Sequence, residues 1–192
     1  MTEHDYLALP PDLPVPVDDG AARHLTGRRL PALTLLATSG EHIELAAVGH
    51  PTAVVFVYPM TGRPGTALPP GWDAVAGARG CTPESCGFRD LFPEFAAAGV
   101  DTIFGLSGQD TDYQREAVAR LHLPYALLAD PEMALADALG LPTFEVDGRR
   151  FYSRLTLIIS AGTIDHVFYP VFPPDGHAAE VLEWLQHQAA TA

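Results

Sequence analysis

The residues of this chain whose type and spacing most directly suggest chemistry are its two cysteines. Cys81 and Cys86, in "GCTPESCGFRD", are the only cysteines among 192 residues. Such a pair could form a structural disulfide, supply part of a metal site, or make and break a disulfide in a reaction cycle. The two could also be unrelated buried thiols. The secondary structure predicted around the two cysteines helps to decide among these alternatives.

The sequence around the pair predicts a helix over about residues 83–97. Thr82 is a suitable N-cap, and Pro83 suits the first helical position. Cys81 then lies at the positive end of the helix dipole, where backbone N–H groups favour a thiolate. Because the thiolate is the nucleophilic form of cysteine, this position favours a reactive role for Cys81.

The same helix limits how the two sulfurs can bond. On an ideal helix, Cα atoms five residues apart are separated by roughly 8.7 Å, whereas a disulfide needs less than about 7 Å. A bond between the two therefore requires the first turn to unwind. As a permanent staple it would contribute only about 2 kcal/mol, and the eight histidines show no spacing that completes a zinc site. A redox cycle and two unrelated thiols remain the stronger alternatives.

The rest of the chain alternates between strand and helix patterns. "TAVVFVYP" (52–59) is typical of a buried central strand. The other predicted elements are a hairpin at 30–48, strands at 101–107 and 125–130, helices at 111–121, 132–140 and 177–188, and hairpins at 144–152 and 154–171. This order predicts an α/β protein, a three-layer α/β/α sandwich with a mixed central sheet and an N-terminal hairpin.

Two segments fall outside this pattern. Residues 1–28 are acidic and proline-rich and are predicted to form an extended arm before a single domain over residues 29–192. Residues 60–80 are rich in glycine and proline and are predicted to be a long loop inserted in that domain.

Charge and composition exclude several classes of function. A net charge of −13 argues against nucleic acid and anionic membranes as partners. The chain has no lysine, which excludes a Walker-type phosphate loop, a Schiff base and a kinase-type lysine. The acidic N-terminal segment and the lack of a long apolar run predict a cytoplasmic protein, in which a permanent disulfide is disfavoured.

The segment "GCTPESCGFRDLFPEF" resembles the active helix of the Q-type peroxiredoxins, the bacterioferritin comigratory protein group. That helix reads Gly-Cys-Thr-x-Glu-x-Cys-x-Phe-Arg-Asp, and the similarity covers about residues 28 to 188. It continues through "AAAGVDTIFGLS", "LADPEMALADALG" and "SRLTLIISAGTIDHVFY". The resemblance implies a thioredoxin-like fold and an antioxidant enzyme that reduces hydroperoxides through a cysteine sulfenic acid, with no metal or organic cofactor.

The resemblance also implies roles for individual residues. Cys81 matches the peroxidatic cysteine and Cys86 the resolving cysteine. Arg154 matches the arginine that holds the thiolate and polarises the peroxide, and Glu84 matches a glutamate that positions this arginine. Phe88 and Arg89 match motif positions beneath the site.

One part of the family motif is missing. The family places a threonine or serine three residues before the peroxidatic cysteine, but here that residue is Ala78. Pro59 matches the family proline by following the central strand, yet it lies 22 residues before Cys81 instead of seven, because about 15 residues are inserted. Thr61 or Thr66 would supply the missing hydroxyl, and Thr61 is preferred because it is close to Pro59.

The implied partners are a hydroperoxide substrate and thioredoxin or a similar dithiol as reductant, acting on a monomer. Two alternatives from other classes are a thioredoxin-like binding or chaperone module without peroxidase activity and a protein thiol–disulfide exchanger. The insertion is expected either to fold over Cys81 as a lid, with Trp72 packed against the domain and Thr61 near the sulfur, or to pack elsewhere.

Overall fold

The structure is a computed structural model of the chain, and it describes residue 9 and residues 12–191. Its strands are β1 (Thr34–Ala37), β2 (His42–Glu44), β3 (Ala53–Val57), β4 (Thr102–Ser107), β5 (Ala126–Ala129), β6 (Thr143–Val146), β7 (Arg149–Tyr152), β8 (Leu155–Ser160) and β9 (Thr163–Phe168). Its helices are α1 (Cys81–Asp90), α2 (Phe92–Ala97), α3 (Thr111–Leu121), α4 (Ala134–Leu139) and α5 (His177–Thr191).

Seven of the strands form one mixed sheet, in the order β2-β1-β5-β4-β3-β8-β9. The internal strand β3 runs parallel to β4 and antiparallel to β8, and all five of its residues are buried. This matches the continuous apolar run of the predicted central strand. The N-terminal hairpin of β1 and β2 extends the sheet through antiparallel pairing of β1 with β5.

Helices flank both faces of the sheet, as the predicted α/β/α sandwich requires. Because side chains alternate along β3, Val54 and Phe56 enter one apolar core, whereas Val55 and Val57 enter the other. The first core lies under α1, α2, α3 and α5. The second lies under α4 and an N-terminal segment that includes Leu25.

The helix that carries both cysteines begins earlier than predicted. The prediction of one helix over 83–97 with Thr82 as N-cap is wrong, because α1 begins at Cys81 and ends at Asp90, before α2. The N-cap is Gly80, with a φ of 99° and no side-chain cap. A Cβ at Gly80 would lie 2.2 Å from Cγ of Pro174, so the close approach and the positive φ both require glycine.

Two predicted turns occur where the sequence places them. Asp147 and Gly148 both have positive φ, at 51° and 67°, and connect β6 to β7. Ala161 and Gly162 likewise connect β8 to β9. The β6–β7 hairpin forms a separate two-stranded sheet, so its strands do not extend the central sheet.

The two segments outside the strand–helix pattern pack against the domain. In the predicted arm, residues 13–19 have no helix or strand, whereas Leu25 is fully buried. The rest of that prediction, residues 1–8, 10 and 11, lies outside the described residues. Within 60–80 the only helical turn is a short 3₁₀ turn at Trp72–Ala74. No helix of the described chain is long and apolar enough to cross a membrane.

Candidate active site

Cys81 lies at the start of α1, next to the end of the central strand. Its side chain belongs to the core cluster that contains Tyr58, the residue after β3, and Phe88 of α1. Only 3% of Cys81 is exposed. Cys81 lines a small cavity, which Met60, Leu68 and Trp72 of the insertion also help to line.

Arg154 brings a positive charge to this sulfur. It lies immediately before β8, the antiparallel neighbour of β3, and it is 3% exposed. Its Nη2 donates to Sγ of Cys81 at 3.2 Å, and it also donates to the carbonyl oxygens of Arg79 at 2.9 Å and Gly77 at 3.3 Å. The backbone of the insertion therefore fixes the guanidinium beside the sulfur.

Glu84 completes a buried ion pair with Arg154. It lies three residues after Cys81, on the same side of the first turns of α1, and it is fully buried. Nη1 of Arg154 donates to Oε2 of Glu84. One guanidinium thus binds a carboxylate through one nitrogen and the sulfur through the other, which brings together the three residues that the motif assigns to the centre of the site.

Burial has the largest effect on the protonation of these groups. It raises the pKa of the Cys81 thiol; Arg154 opposes this rise, Glu84 adds to it, and the backbone N–H of Met60 opposes it. Burial also raises the pKa of Glu84 to about 7, although Arg154 lowers it. The expectation of a favoured thiolate at the helix terminus considered only the dipole, and it omitted the burial of the first turn.

Cys86 lies in the same helix and in a different environment. It is partly exposed, and both cysteines are free thiols. Burial raises its pKa, which Arg89 partly opposes. Because residues 81–90 are helical throughout, the ideal separation of about 8.7 Å between the two Cα atoms applies, and a disulfide requires the turn between them to open.

Several contacts hold that turn closed. Oγ of Ser85 donates to the carbonyl of Cys81 at 2.9 Å, and the hydroxyl of Tyr125 donates to the carbonyl of Ser85 at 2.7 Å. Residues 81–85 are all buried. Opening the first turn would therefore break these hydrogen bonds together with the contacts of Arg154.

The two other motif residues hold the rest of α1 in place. Phe88 is fully buried, and its ring stacks on Phe56 of β3 with centroids 4.4 Å apart. Arg89 donates through Nη1 to the carbonyl of Leu121, at the end of α3, at 2.9 Å. These contacts anchor the helix to the sheet and to its neighbour, and neither involves the sulfur of Cys81.

The structure gives Thr61 a partner other than Cys81. Its hydroxyl donates to Oε1 of Gln109 at 3.0 Å, its N–H donates to the same oxygen at 3.0 Å, and its carbonyl accepts from Nε2 at 3.2 Å. Thr61 is fully buried and does not line the cavity at Cys81. Thr66 lines a different cavity. At Ala78 only the backbone reaches the site, where its carbonyl accepts from the Cys81 thiol at 3.7 Å.

Two contributors to the site escaped the sequence reasoning. Gln109 fixes Thr61, and the N–H of Met60 opposes the rise in the pKa of Cys81. The topology contains a signal for the first, because Thr61 and Gln109 follow the neighbouring parallel strands β3 and β4 at one edge of the sheet. A backbone N–H carries no residue-specific signal, so Met60 could not be found in this way.

The insertion is held over the site by aromatic packing. Trp72 is 2% exposed, and its ring lies 4.9 Å from that of Phe151 and 5.9 Å from that of Phe144, on the β6–β7 hairpin. The guanidinium of Arg79 binds both carboxylate oxygens of Asp73, at 2.6 and 3.0 Å. The packing of Trp72 agrees with the expected lid. Thr61, which the lid would place near the sulfur, is instead hydrogen-bonded to Gln109.

The side chains beside the Cys81 sulfur provide a cation and a carboxylate, Arg154 and Glu84. Within residues 9 and 12–191, no group of three or more histidine, cysteine, aspartate or glutamate side chains is placed to hold a metal ion. A thiol beside an arginine–carboxylate pair can ionise, attack an electrophile and stabilise negative charge on a leaving group.

A family model described as Redoxin matches residues 25–183 of the chain. Among curated proteins, the chain is 28% identical over 188 residues to a chloroplastic peroxiredoxin Q of Gentiana triflora, covering 94% of this chain and 77% of that protein. It is 27% identical over 162 residues to a putative peroxiredoxin bcp of Coxiella burnetii, covering 81% of this chain and 95% of that protein.

Solved structures give the same result. Peroxidoxin BcpB of Mycobacterium tuberculosis superposes with a TM-score of 0.65 at 26% identity, covering 84% of this chain and 96% of that one. Peroxiredoxin Q of Xanthomonas campestris gives a TM-score of 0.65 at 25% identity, with coverages of 93% and 98%. A further structure of the Xanthomonas campestris bacterioferritin comigratory protein, which concerns its alkyl peroxide reduction activity, gives 0.64 at 25% identity, with coverages of 93% and 98%.

Proposed function

Because this chain belongs to the Redoxin family, as a Q-type peroxiredoxin and hence a thiol peroxidase, we propose that Cys81 is the sulfur that attacks the peroxide. The observation that carries this assignment is the contact of 3.2 Å between Nη2 of Arg154 and Sγ of Cys81. Arginine stays protonated at every physiological pH, so it stabilises the thiolate without competing for its proton.

The first chemical step oxidises Cys81. Its thiolate attacks one oxygen of the peroxide, the O–O bond breaks, and the products are a cysteine sulfenic acid and, after protonation, water or an alcohol. Negative charge develops on the departing oxygen. The guanidinium of Arg154 is positioned to stabilise this charge, and Glu84 positions the guanidinium.

The second step forms the disulfide. The first turn of α1 unwinds, the thiol of Cys86 attacks the sulfenic sulfur of Cys81, and water leaves. The geometry supports this order, because Cys86 is the more exposed thiol and lies too far from Cys81 while α1 remains helical. Since each chain carries both of the cysteines that this step needs, the disulfide forms within one chain, and we propose that the protein functions as a monomer.

The cycle closes when thioredoxin or a similar dithiol reduces the disulfide. Unwinding places the bond in a strained and exposed segment, which favours thiol–disulfide exchange. The substrates are hydrogen peroxide and small organic hydroperoxides, and the reaction uses no cofactor. The protein acts in the cytoplasm, where such dithiols are available.

Thr61 stays in this proposal only as a positioning residue. Its hydroxyl is bound to Gln109, which fixes the loop that begins after β3 and continues through Met60. The hydroxyl that the motif places three residues before Cys81 has no replacement at Ala78.

One experiment separates this function from its alternatives. Reduced protein should consume hydrogen peroxide in an assay coupled to thioredoxin and its reductase, and a single equivalent of peroxide should yield an intramolecular disulfide with a mass loss of 2 Da. A binding or chaperone module would consume no peroxide. A protein thiol–disulfide exchanger would reduce a disulfide substrate and leave peroxide intact.

A further inference from the structure

Two cavities meet at the insertion. The first, which contains Cys81, has a volume of about 20 Å³, room for little more than one or two water-sized molecules. The second has a volume of about 400 Å³ and lies between the insertion, the start of α3 and the β6–β7 turn. Met60 and Leu68 line both cavities, so their side chains form the wall between them.

Packing within the insertion and against the β6–β7 hairpin supports this wall. Leu68 and Met60 pack against a cluster of four buried residues, Trp72, Ala78, Val146 and Phe151. Trp72 fixes the insertion to the β6–β7 hairpin through its contacts with Phe144 and Phe151. Leu9, from the N-terminal segment, lines the Cys81 cavity from another side. An aromatic or long alkyl group bound to a peroxide therefore has no room beside the sulfur.

The larger cavity has the surface that an organic group would need. Met60, Leu68 and several prolines give it an apolar wall. Its polar rim includes Arg63, whose guanidinium lies 4.5 Å from the ring centroid of Tyr113 and 3.6 Å from the carboxylate of Glu116. An amphiphilic organic molecule fits such a site, but the wall separates it from Cys81.

We propose that Leu68, together with Met60, sets the peroxide specificity of this protein by closing the Cys81 cavity to hydroperoxides that carry an aromatic or long alkyl group. This inference rests on the proposed function of Cys81 and narrows its substrate class. Truncation of Leu68 joins the two cavities, so the organic part of a bulky hydroperoxide can occupy the larger one while its O–O bond reaches the sulfur.

The test compares two peroxides on matched variants. The second-order rate constants for hydrogen peroxide and cumene hydroperoxide are measured by stopped flow on the wild type, Leu68→Ala and Val75→Ala. Val75 is a partly buried residue of the same insertion that lines neither cavity. The wild type should prefer hydrogen peroxide. Leu68→Ala should shift the ratio toward cumene hydroperoxide by about tenfold or more, and Val75→Ala should leave it unchanged.

Each failure has its own signature. If the wild type does not react with hydrogen peroxide, the proposed function is wrong. If it does react but treats both peroxides alike, or if a folded Leu68→Ala keeps the wild-type ratio, only the specificity inference is overturned. Circular dichroism and a thermal melt establish folding, and Leu68→Val, a milder truncation, should shift the ratio in the same direction by less.

A measurement without peroxide tests the same wall. In a Cys86→Ser background, the rate at which the small reagent iodoacetamide modifies Cys81 should rise only slightly in Leu68→Ala. N-phenylmaleimide should modify Cys81 much faster in Leu68→Ala than with leucine in place. Equal rates of modification by the bulky reagent would overturn the inference.

Discussion

The two ends of α1, its first turn and its second half from Cys86 to Asp90, place chemically identical side chains in different surroundings. At the first turn, residues 81–85 are buried, and the sulfur of Cys81 contacts the guanidinium of Arg154. One and a half turns later Cys86 is partly exposed, and Arg89 beside it is tied to Asp90 and to a carbonyl of α3. One end provides an enclosed electrostatic site, and the other provides access.

In the proposed cycle, this difference gives each of the two thiols its own role. A peroxide bond breaks more easily where a fixed positive charge meets the leaving oxygen in a site that excludes water. The same enclosure keeps a protein reductant away from Cys81. In the proposed cycle, an exposed second thiol in the same helix would solve this problem, because unwinding one turn would bring the oxidised sulfur to the accessible end.

Replacement of each cysteine by serine should give the largest difference between the two ends. Cys81→Ser should abolish peroxide consumption, because serine provides no sulfur to oxidise. Cys86→Ser should consume one equivalent and stop at the sulfenic acid, which a dimedone adduct detected by mass spectrometry would reveal. If Cys86→Ser consumed no peroxide and Cys81→Ser consumed one equivalent and stopped, the roles of the two sulfurs would be exchanged.

Replacement of the two arginines should give the next largest difference. Arg154→Met removes the donor to Sγ at 3.2 Å, and loss of such a charged contact is worth about 1.5–3 kcal/mol, or about ten- to a hundredfold in rate. Arg89→Met is the matched control, because Arg89 lies on α1 but contacts the carbonyl of Leu121 and not the sulfur of Cys81. Stopped-flow rates of the peroxide step should fall only in Arg154→Met; equal rates in both variants would remove Arg154 from the site.

The order of elements and the centre of the site were predictable because each has a local signal. Apolar runs predicted the strands, and Asp147-Gly148 predicted a turn. The segment from Gly80 to Asp90 predicted that Cys81 and Glu84 lie close together at the start of one helix. Arg154 was placed by the motif, and its position next to the central strand follows from the antiparallel pairing of β8 with β3.

What the sequence did not predict depends on contacts between distant segments. The helix begins at Cys81 and not after Thr82, with Gly80 as its N-cap, and the need for glycine at that position comes from Pro174, which lies where a Cβ would be. The hydroxyl of Thr61 is bound by Gln109, 48 residues away. The pKa of Cys81 rises because segments far along the chain bury the first turn, an effect that no local pattern reports.

The two carboxylates of α1 should differ in their influence on pH dependence. Glu84 raises the pKa of Cys81 through its negative charge, so Glu84→Gln should move the midpoint of the pH–rate profile for peroxide to lower pH. Glutamine keeps an acceptor oxygen for Arg154, so the guanidinium of Arg154 should keep its position. Asp90→Asn is the control at the other end and should leave the midpoint in place. A shift in both variants would mean a general charge effect.

The same substitution should change the pH dependence of stability. The pKa of Glu84 is raised from 4.5 to about 7 in the folded protein. The folded state therefore binds more protons than the unfolded state between these values, and this contribution to stability is lost as the pH rises through them. Urea unfolding of Glu84→Gln should show a weaker decline in stability across this window than the wild type. A decline as steep as that of the wild type would contradict the raised pKa.

The smallest expected effect concerns the hydrogen bond that anchors the first turns of α1 to the residue before β5. The hydroxyl of Tyr125 donates to the carbonyl of Ser85 at 2.7 Å, and both residues are buried. Because this bond holds the first turn in its helical form, its removal in Tyr125→Phe should lower the cost of unwinding by about 1 kcal/mol. Disulfide formation after one equivalent of peroxide should then be about fivefold faster, while the peroxide step keeps its rate. Acid quenching, alkylation and mass spectrometry resolve the two steps.

Tyr169→Phe, which removes an exposed hydroxyl contact with Asp19 at 3.1 Å, is the matched control and should change neither rate. If Tyr125→Phe also leaves disulfide formation unchanged, the unwinding of the first turn does not limit that step, and the contrast between the two ends of α1 must arise from the chemistry of the sulfurs alone.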